Sequence, residues 1–152
     1  MQKLSLLLLL TFVTACGSAP AQIGSARNDQ MNDLVMYAMS LAETPYQYGG
    51  SSASSGFDCS GYVGHVYREV LDIQLPRTTK AISGVGEPLR QSDLRPGDLV
   101  FFDTMRRPYS HVGIYVGERK FVHAPKTGSR IRVESMELNY WRSRYNGARR
   151  VY

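Results

Sequence analysis

The feature that most limits the possible folds is a change of hydrophobic period part-way along the chain. From Asp29 to about Ser83, apolar residues recur at helical spacing. Beyond the turn Leu94–Arg95–Pro96–Gly97–Asp98 they recur every second residue and become β-branched or aromatic. Met31, Leu34, Val35, Ala38 and Ala42 make one helical face, with Asn28 or Asp29 able to cap its start and Thr44–Pro45 to end it. Tyr62, Val63, Val66, Tyr67 and Val70 make a second, which begins near Cys59 with Asp58 as its N-cap. A short third is expected over Thr78–Ser83, ended by Gly84, while the Gly- and Ser-rich stretch from Tyr46 to Gly56 reads as loop. Strands are expected at Leu99–Phe102, Val112–Val116, Lys120–Ala124 and Ile131–Glu134, and Arg149–Tyr152 closes a sheet of about five. Helices followed by a meander of strands give an α+β fold, with N-terminal helices packed on an antiparallel sheet.

The first fifteen residues stand apart from that domain. Met1–Gln2–Lys3 is a short positive start, and Leu4 to Val13 is almost unbroken apolar sequence. The run is too short to span a bilayer, which needs about 20 residues, and it fits the apolar region of a secretory signal peptide. It closes on Val13–Thr14–Ala15–Cys16–Gly17, which resembles the bacterial lipoprotein box, so Cys16 is expected to carry lipid, palmitate included, and to become the mature N-terminus. Residues 16–28, small and polar, are expected to form a flexible tether, and residues 29–152 the folded domain. Gly17–Ser18 after the acylated cysteine resembles outer-membrane sorting. The expected location is therefore the outer membrane, facing the periplasm, or the cytoplasmic membrane in a Gram-positive cell.

The chain has two cysteines. If Cys16 is a thioether, Cys59 is an odd thiol in an oxidising compartment, and catalysis would explain its retention. Net charge is +5, concentrated toward the C-terminus. Nine Lys and Arg lie between Arg119 and Tyr152, opposed there by Glu134 and Glu137. This is either a solvated basic face or a surface attracted to an anionic partner, such as wall peptides or an acidic membrane. Export argues against nucleic acid.

Cys59 follows an N-cap, so the first N–H groups of its helix point toward it and favour thiolate. A thiol of ordinary pKa, about 8.5, is ionised only to a few per cent near neutrality, so an adjacent imidazolium is expected to complete its activation. His65 lies inside the same helix and points away from the thiol; it reads as structural. His111, Gly113 and Tyr115 share one face of their strand, while Val112, Ile114 and Val116 share the other. With three residues left out of the hairpin, Val116 faces Lys120 and His123 faces Gly113, which puts His111 diagonal to His123 on one face. A one-residue slip would separate the two imidazoles. The chemistry this permits is acyl transfer: His111 takes the Cys59 proton and later protonates the leaving amine, and His123 orients His111. Two histidines on adjacent strands are also a possible metal pair, although no third ligand sits at metal spacing.

Six stretches add a resemblance. Thr44–Pro45–Tyr46–Gln47–Tyr48–Gly49–Gly50, Gly56–Phe57–Asp58–Cys59–Ser60–Gly61 and Leu75–Pro76–Arg77–Thr78–Thr79 come first. Arg95–Pro96–Gly97–Asp98–Leu99–Val100–Phe101–Phe102, His111–Val112–Gly113–Ile114–Tyr115 and Phe121–Val122–His123–Ala124 follow in order. Together they resemble the NlpC family of papain-like cell-wall endopeptidases. The resemblance implies Cys59 as nucleophile, His111 as base, His123 as the orienting residue and Tyr46 at the oxyanion site, where the Cys59 N–H is the other natural donor. It implies peptidoglycan stem peptides as substrate, cut next to meso-diaminopimelate either within a stem or at a cross-link, without a cofactor. Tyr48, Ser60 and Arg77 are candidate substrate contacts, and Arg77 is equally a candidate for a structural ion pair. Many members carry Gln where this chain has Ile82, a departure expected to alter the substrate cleft. The chain is expected to act as a monomer. The rival readings are a non-catalytic peptidoglycan-binding lipoprotein on the same fold, and a different thiol acyl-transfer enzyme such as an amidase.

Overall fold

A computed structural model describes residues 21–152, with side chains from Gly24 onward. The segment 1–15 and the expected lipid attachment at Cys16 lie outside the described residues. Among those described, no helix is long and apolar enough to cross a membrane.

Helix α1 spans Ala21–Ser40. Residues 21–28 therefore extend the helix, where an irregular tether was expected over 16–28. Once a helix is anchored by packing, each further residue adds a hydrogen bond at little cost, and Gly24 alone weakens this stretch. Every residue from Gly24 to Gln30 is exposed, and the buried face starts at Met31 and continues through Leu34 and Ala38. The segment read as loop contains a small hairpin, β1 (Ser51–Ser52) paired with β2 (Gly56–Phe57). Helix α2 follows at Cys59–Leu71, with Asp58 as its N-cap as the sequence predicts, and α3 is a single turn at Thr79–Ile82 capped by Thr78.

The remaining strands are β3 (Glu87–Leu89), β4 (Leu99–Phe102), β5 (His111–Gly117), β6 (Lys120–His123) and β7 (Arg132–Ser135). The short helix α4 (Asn139–Arg142) precedes β8 (Tyr145–Arg150). They form one antiparallel sheet in the order β3-β8-β4-β5-β6-β7, six strands where about five were expected. The additional strand, β3, contains Pro88, which can join a sheet only at an edge and which weakens the sequence signal. The last strand lies earlier than expected because Tyr145–Asn146–Gly147–Ala148 lacks the β-branched residues that mark a strand.

Both faces of the sheet are covered. On one side Leu34, Ala38, Tyr62, Val63, Val66 and Tyr67 of the first two helices meet Leu99, Phe101, Val112, Ile114 and Val122. On the other, Trp141 of α4 and Met136 cover Val100, Phe102, Tyr115, Phe121 and Ala148. Each fully buried large apolar side chain contributes roughly 1.5–3 kcal/mol. Two buried phenols tie α2 in place: Tyr62 donates to the Ala38 carbonyl at 2.8 Å, and Tyr67 donates to the Gly97 carbonyl in the turn before β4. That turn is held in turn by Asp98, fully buried, which accepts from Arg150 at 2.9 and 2.7 Å and from Tyr152 at 3.0 Å.

The start of α2 is set by backbone contact. A Cβ on Gly61 would lie 2.0 Å from the Gly50 carbonyl oxygen, and one on Gly50 would lie 2.3 Å from that of Gly56. Only glycine lets the loop and hairpin press this closely on the helix that carries Cys59. Gly61→Ala should therefore cost about 1–3 kcal/mol through overpacking, read as a lowered urea midpoint. A midpoint equal to wild type would show that the loop yields freely and does not fix the helix.

Candidate active site

Asp58 holds the tip of α2. Its Oδ1 accepts from the Gly61 N–H at 2.7 Å and from the Ser60 hydroxyl at 3.1 Å, and its Oδ2 accepts from the Gly49 N–H at 3.1 Å. The Arg77 guanidinium grips both oxygens, at 3.0 and 2.7 Å, and reaches Ser60 Oγ at 2.8 Å. Of the two roles open to Arg77, the structure shows the ion pair, and Ser60 is spent in the same network. Tyr48 is 84 % exposed. None of these three candidate substrate contacts is among the residues that line the cleft beside Cys59. Ile82 is fully buried in the core cluster that α1 and α2 share and is not among the residues that line this cleft.

Cys59, a free thiol, has its Sγ 3.6 Å from Thr79 Oγ1. Helix α2, which begins at Cys59, packs against β5, the strand that carries His111. Cys59, His111 and Tyr46 line one cleft of about 490 Å³, together with Ser110, Lys126, Arg132, Glu134 and Trp141 among others.

The hairpin brings the histidines together as predicted, with one correction. Ile114 pairs with Val122, so Gly113 stands opposite His123, but Gly117 rather than Val116 faces Lys120. The connection is the two-residue turn Glu118–Arg119, both at positive φ (50° and 55°), and a bulge near Val116 absorbs the extra residue. A Cβ on Gly113 would lie 3.2 Å from His123 Cβ and 2.7 Å from Phe121 Cδ2, so glycine provides the room the two rings need. His111 Nε2 and His123 Nδ1 are 2.7 Å apart. Trp141 stacks on His111 (centroids 5.5 Å, 27°) and meets His123 edge-on.

Three residues that the sequence did not offer complete the cluster. His123 Nε2 lies 2.7 Å from Glu134 Oε2, which also accepts from Trp141 Nε1 at 3.1 Å, while Glu134 Oε1 accepts from Arg132 at 3.2 Å. The available signal was the β6–β7 pairing, which sets Arg132 opposite His123 and Glu134 two residues on along the same face. His65, read as structural, bonds Tyr37 and Arg68 at the junction of the helices.

Burial pushes the Cys59 thiol up, with Asp58 acting in the same sense, against the opposing pull of the Thr79 hydroxyl. Burial, then the neighbouring His123, pushes His111 well down. Both shifts favour the neutral form of their group, whereas a thiolate beside an imidazolium was expected from the helix tip. A helix N-terminus contributes modestly, and here desolvation outweighs it. Burial also keeps Tyr46 protonated, with Cys59 and Asp58 acting in the same sense, so its hydroxyl remains a donor.

The family pattern described as NlpC/P60 matches residues 43–150. The chain belongs to the NlpC/P60 family. It is similar to murein DD-endopeptidase MepH of Escherichia coli K12, 40% identical over 91% of this chain and 51% of that protein. It is also similar to murein DD-endopeptidase MepS/murein LD-carboxypeptidase of the same strain, 46% identical over 70% of this chain and 55% of that protein. The chain thus spans about half the length of these relatives. An NlpC/P60 family protein from Bacillus cereus superposes with a TM-score of 0.73 at 30% identity, covering 79% of this chain and 39% of that one. The α+β, papain-like architecture of this NlpC/P60 domain follows from that agreement and from the sheet described above.

The Asp58 clamp gives a pH test. Burial raises the Asp58 carboxyl, but the Arg77 hydrogen bonds, the Gly61 N–H and the Ser60 hydroxyl together bring it below its ordinary value. A depressed folded value means stability that is fully present above the unfolded carboxylate value and lost as pH falls through the folded one. Arg77→Met should lower the unfolding free energy at neutral pH by about 1 kcal/mol, modest because the guanidinium is half exposed. In urea titrations carried to progressively lower pH, the gap from wild type should close as pH falls through the folded carboxylate value. A gap that persists below that value would mean Arg77 acts through packing and not through charge.

Proposed function

We propose that this chain is a cysteine peptidase that hydrolyses amide bonds in the stem peptides of peptidoglycan. The observation that carries the reading is that Cys59, at the tip of α2, and His111, bonded to His123, line one cleft. Because His111 Nε2 is turned to His123, Nδ1 is the nitrogen left for the thiol. As the sulfur attacks the substrate carbonyl carbon, the thiol proton passes to His111 Nδ1. The oxyanion forms near the Tyr46 hydroxyl and the Cys59 N–H, which as the first amide of its helix has no intrahelical partner. His111 returns the proton to the leaving nitrogen, the C–N bond breaks and a thioester remains. Water, deprotonated by His111, then attacks the thioester, releasing a carboxylate and restoring the thiol. A neutral thiol and imidazole suit this sequence, since the base must begin with its lone pair free.

The murein DD-endopeptidase named for both MepH and MepS supports a D,D bond as the target, and the LD-carboxypeptidase also named for MepS supports a second bond within a stem. Cys16 as lipid attachment would hold the enzyme at a membrane on the wall side, the outer membrane in a Gram-negative cell. Many of the C-terminal cations are engaged within the fold, as with Arg150 on Asp98, Arg119 on Glu137 and Arg132 on Glu134, so charge alone is a weak tether.

Purified chain incubated with isolated sacculi should release peptide fragments whose masses identify the bond. Cys59→Ala and His111→Ala should each abolish release while binding to sacculi persists. Undiminished hydrolysis by the Cys59 variant would exclude the thiol mechanism, and binding by wild type without any release would favour the non-catalytic reading.

A further inference from the structure

A histidine pair poses a difficulty that a histidine with an acceptor-only partner does not. Each neutral imidazole carries one donor and one acceptor. The 2.7 Å contact between His111 Nε2 and His123 Nδ1 can therefore be made in either direction. If His111 donates, its Nδ1 keeps the lone pair needed to take the Cys59 proton. If His123 donates, the single proton of His111 sits on Nδ1, and the ring cannot act as a base toward the thiol. Both rings are buried, 3 % and 0 % exposed, so bulk water does not choose between the two arrangements.

The far side of His123 breaks the symmetry. Its Nε2 faces Glu134 Oε2 at 2.7 Å, and an ionised carboxylate has only acceptors. The proton of His123 must then sit on Nε2, its Nδ1 must accept, and His111 must donate from Nε2. The carboxylate is kept ionised and in place by the groups that face it. These are His123 from β6, Arg132 from β7 (3.2 Å to Oε1) and the Trp141 indole from α4 (3.1 Å to Oε2). Lys126 adds a further positive charge along the same cleft. Trp141 also stacks on His111, so one side chain fixes both the carboxylate and the ring whose tautomer the carboxylate sets.

We propose that Glu134 is a positioning residue that sets the tautomer of both histidines and so leaves His111 Nδ1 free to deprotonate Cys59. The proposal rests on the peptidase reading for its kinetic consequence, but the tautomers can be read without any activity. Glu134 touches no reacting atom. It acts through His123, as the buried carboxylate does in a Ser-His-Asp triad, one imidazole further out.

The test is nitrogen-15 NMR of the full chain with labelled histidine, which separates protonated from lone-pair ring nitrogens. Wild type at neutral pH should show His111 and His123 both protonated at Nε2. In Glu134→Leu, which removes the acceptor, a substantial share of both rings should carry the proton on Nδ1. Its kcat on cross-linked stem peptides should fall about 100-fold, the size of a general-base contribution, with KM within about 2-fold of wild type because Glu134 grips no substrate. Glu134→Gln offers the ring a donor as well as an acceptor, so mixed tautomers and a smaller loss of kcat, about 10-fold, are expected. It serves if the Leu variant fails to fold. A folded variant of either kind with wild-type tautomers and wild-type kcat overturns the proposal. If the wild type cleaves no wall peptide, the peptidase reading fails, and the NMR result still decides the role of Glu134.

Discussion

The register of β5 against β6 is the constraint on which the rest of the site depends. Side chains alternate faces along a strand, so a slip of one residue would carry His123 to the side of the sheet occupied by α1 and α2. The tight Glu118–Arg119 turn and the bulge beside Val116 hold the pairing that sets Gly113 opposite His123. The same pairing places Val112 and Ile114 in one core and Tyr115 in the other. A shift that broke the histidine contact would thus also expose apolar surface on both sides. The site inherits its precision from the cores, because misplacing the rings costs burial as well as a hydrogen bond.

Much of this could be read from the chain alone, and the reasons are local. Asp58 before Cys59 is an N-cap by residue type, and the apolar spacing after it is helical, so the helix tip and its thiol were visible. The alternation around His111 and the short connection to His123 put the two rings on a common face by residue pattern alone. The family resemblance agrees with the match over residues 43–150. The exact pairing at the turn was out by one residue, since a bulge leaves no signature in residue type when neither Glu118 nor Arg119 is a glycine.

What was not legible depended on contacts distant in sequence. Glu134 counted only as a charge opposing a basic stretch, because its role appears once β7 is laid beside β6. Trp141 sits in a helix of four residues, too short to show periodicity, yet it covers one face of the sheet and touches both histidines. The helix tip predicted an ionised thiol. Desolvation works against that expectation at Cys59 and at the buried His111, and desolvation is a property of packing that no local pattern reports. Arg77 stood equally between two roles until its guanidinium was seen gripping Asp58 on both oxygens.

The strand that carries His111 is covered on both sides, and this has a consequence for how such a domain can diversify. A ring rooted between two packed layers cannot swing to follow substrates of different shape without opening the sheet. Adaptation must then fall to the cleft's loop walls, the segment from Thr104 to Ser110 and that from Pro125 to Thr127, which lie outside any strand. Such walls can lengthen, shorten or change charge while the reacting groups keep their places. One unvarying chemical centre could in this way serve relatives that differ in the bond they open.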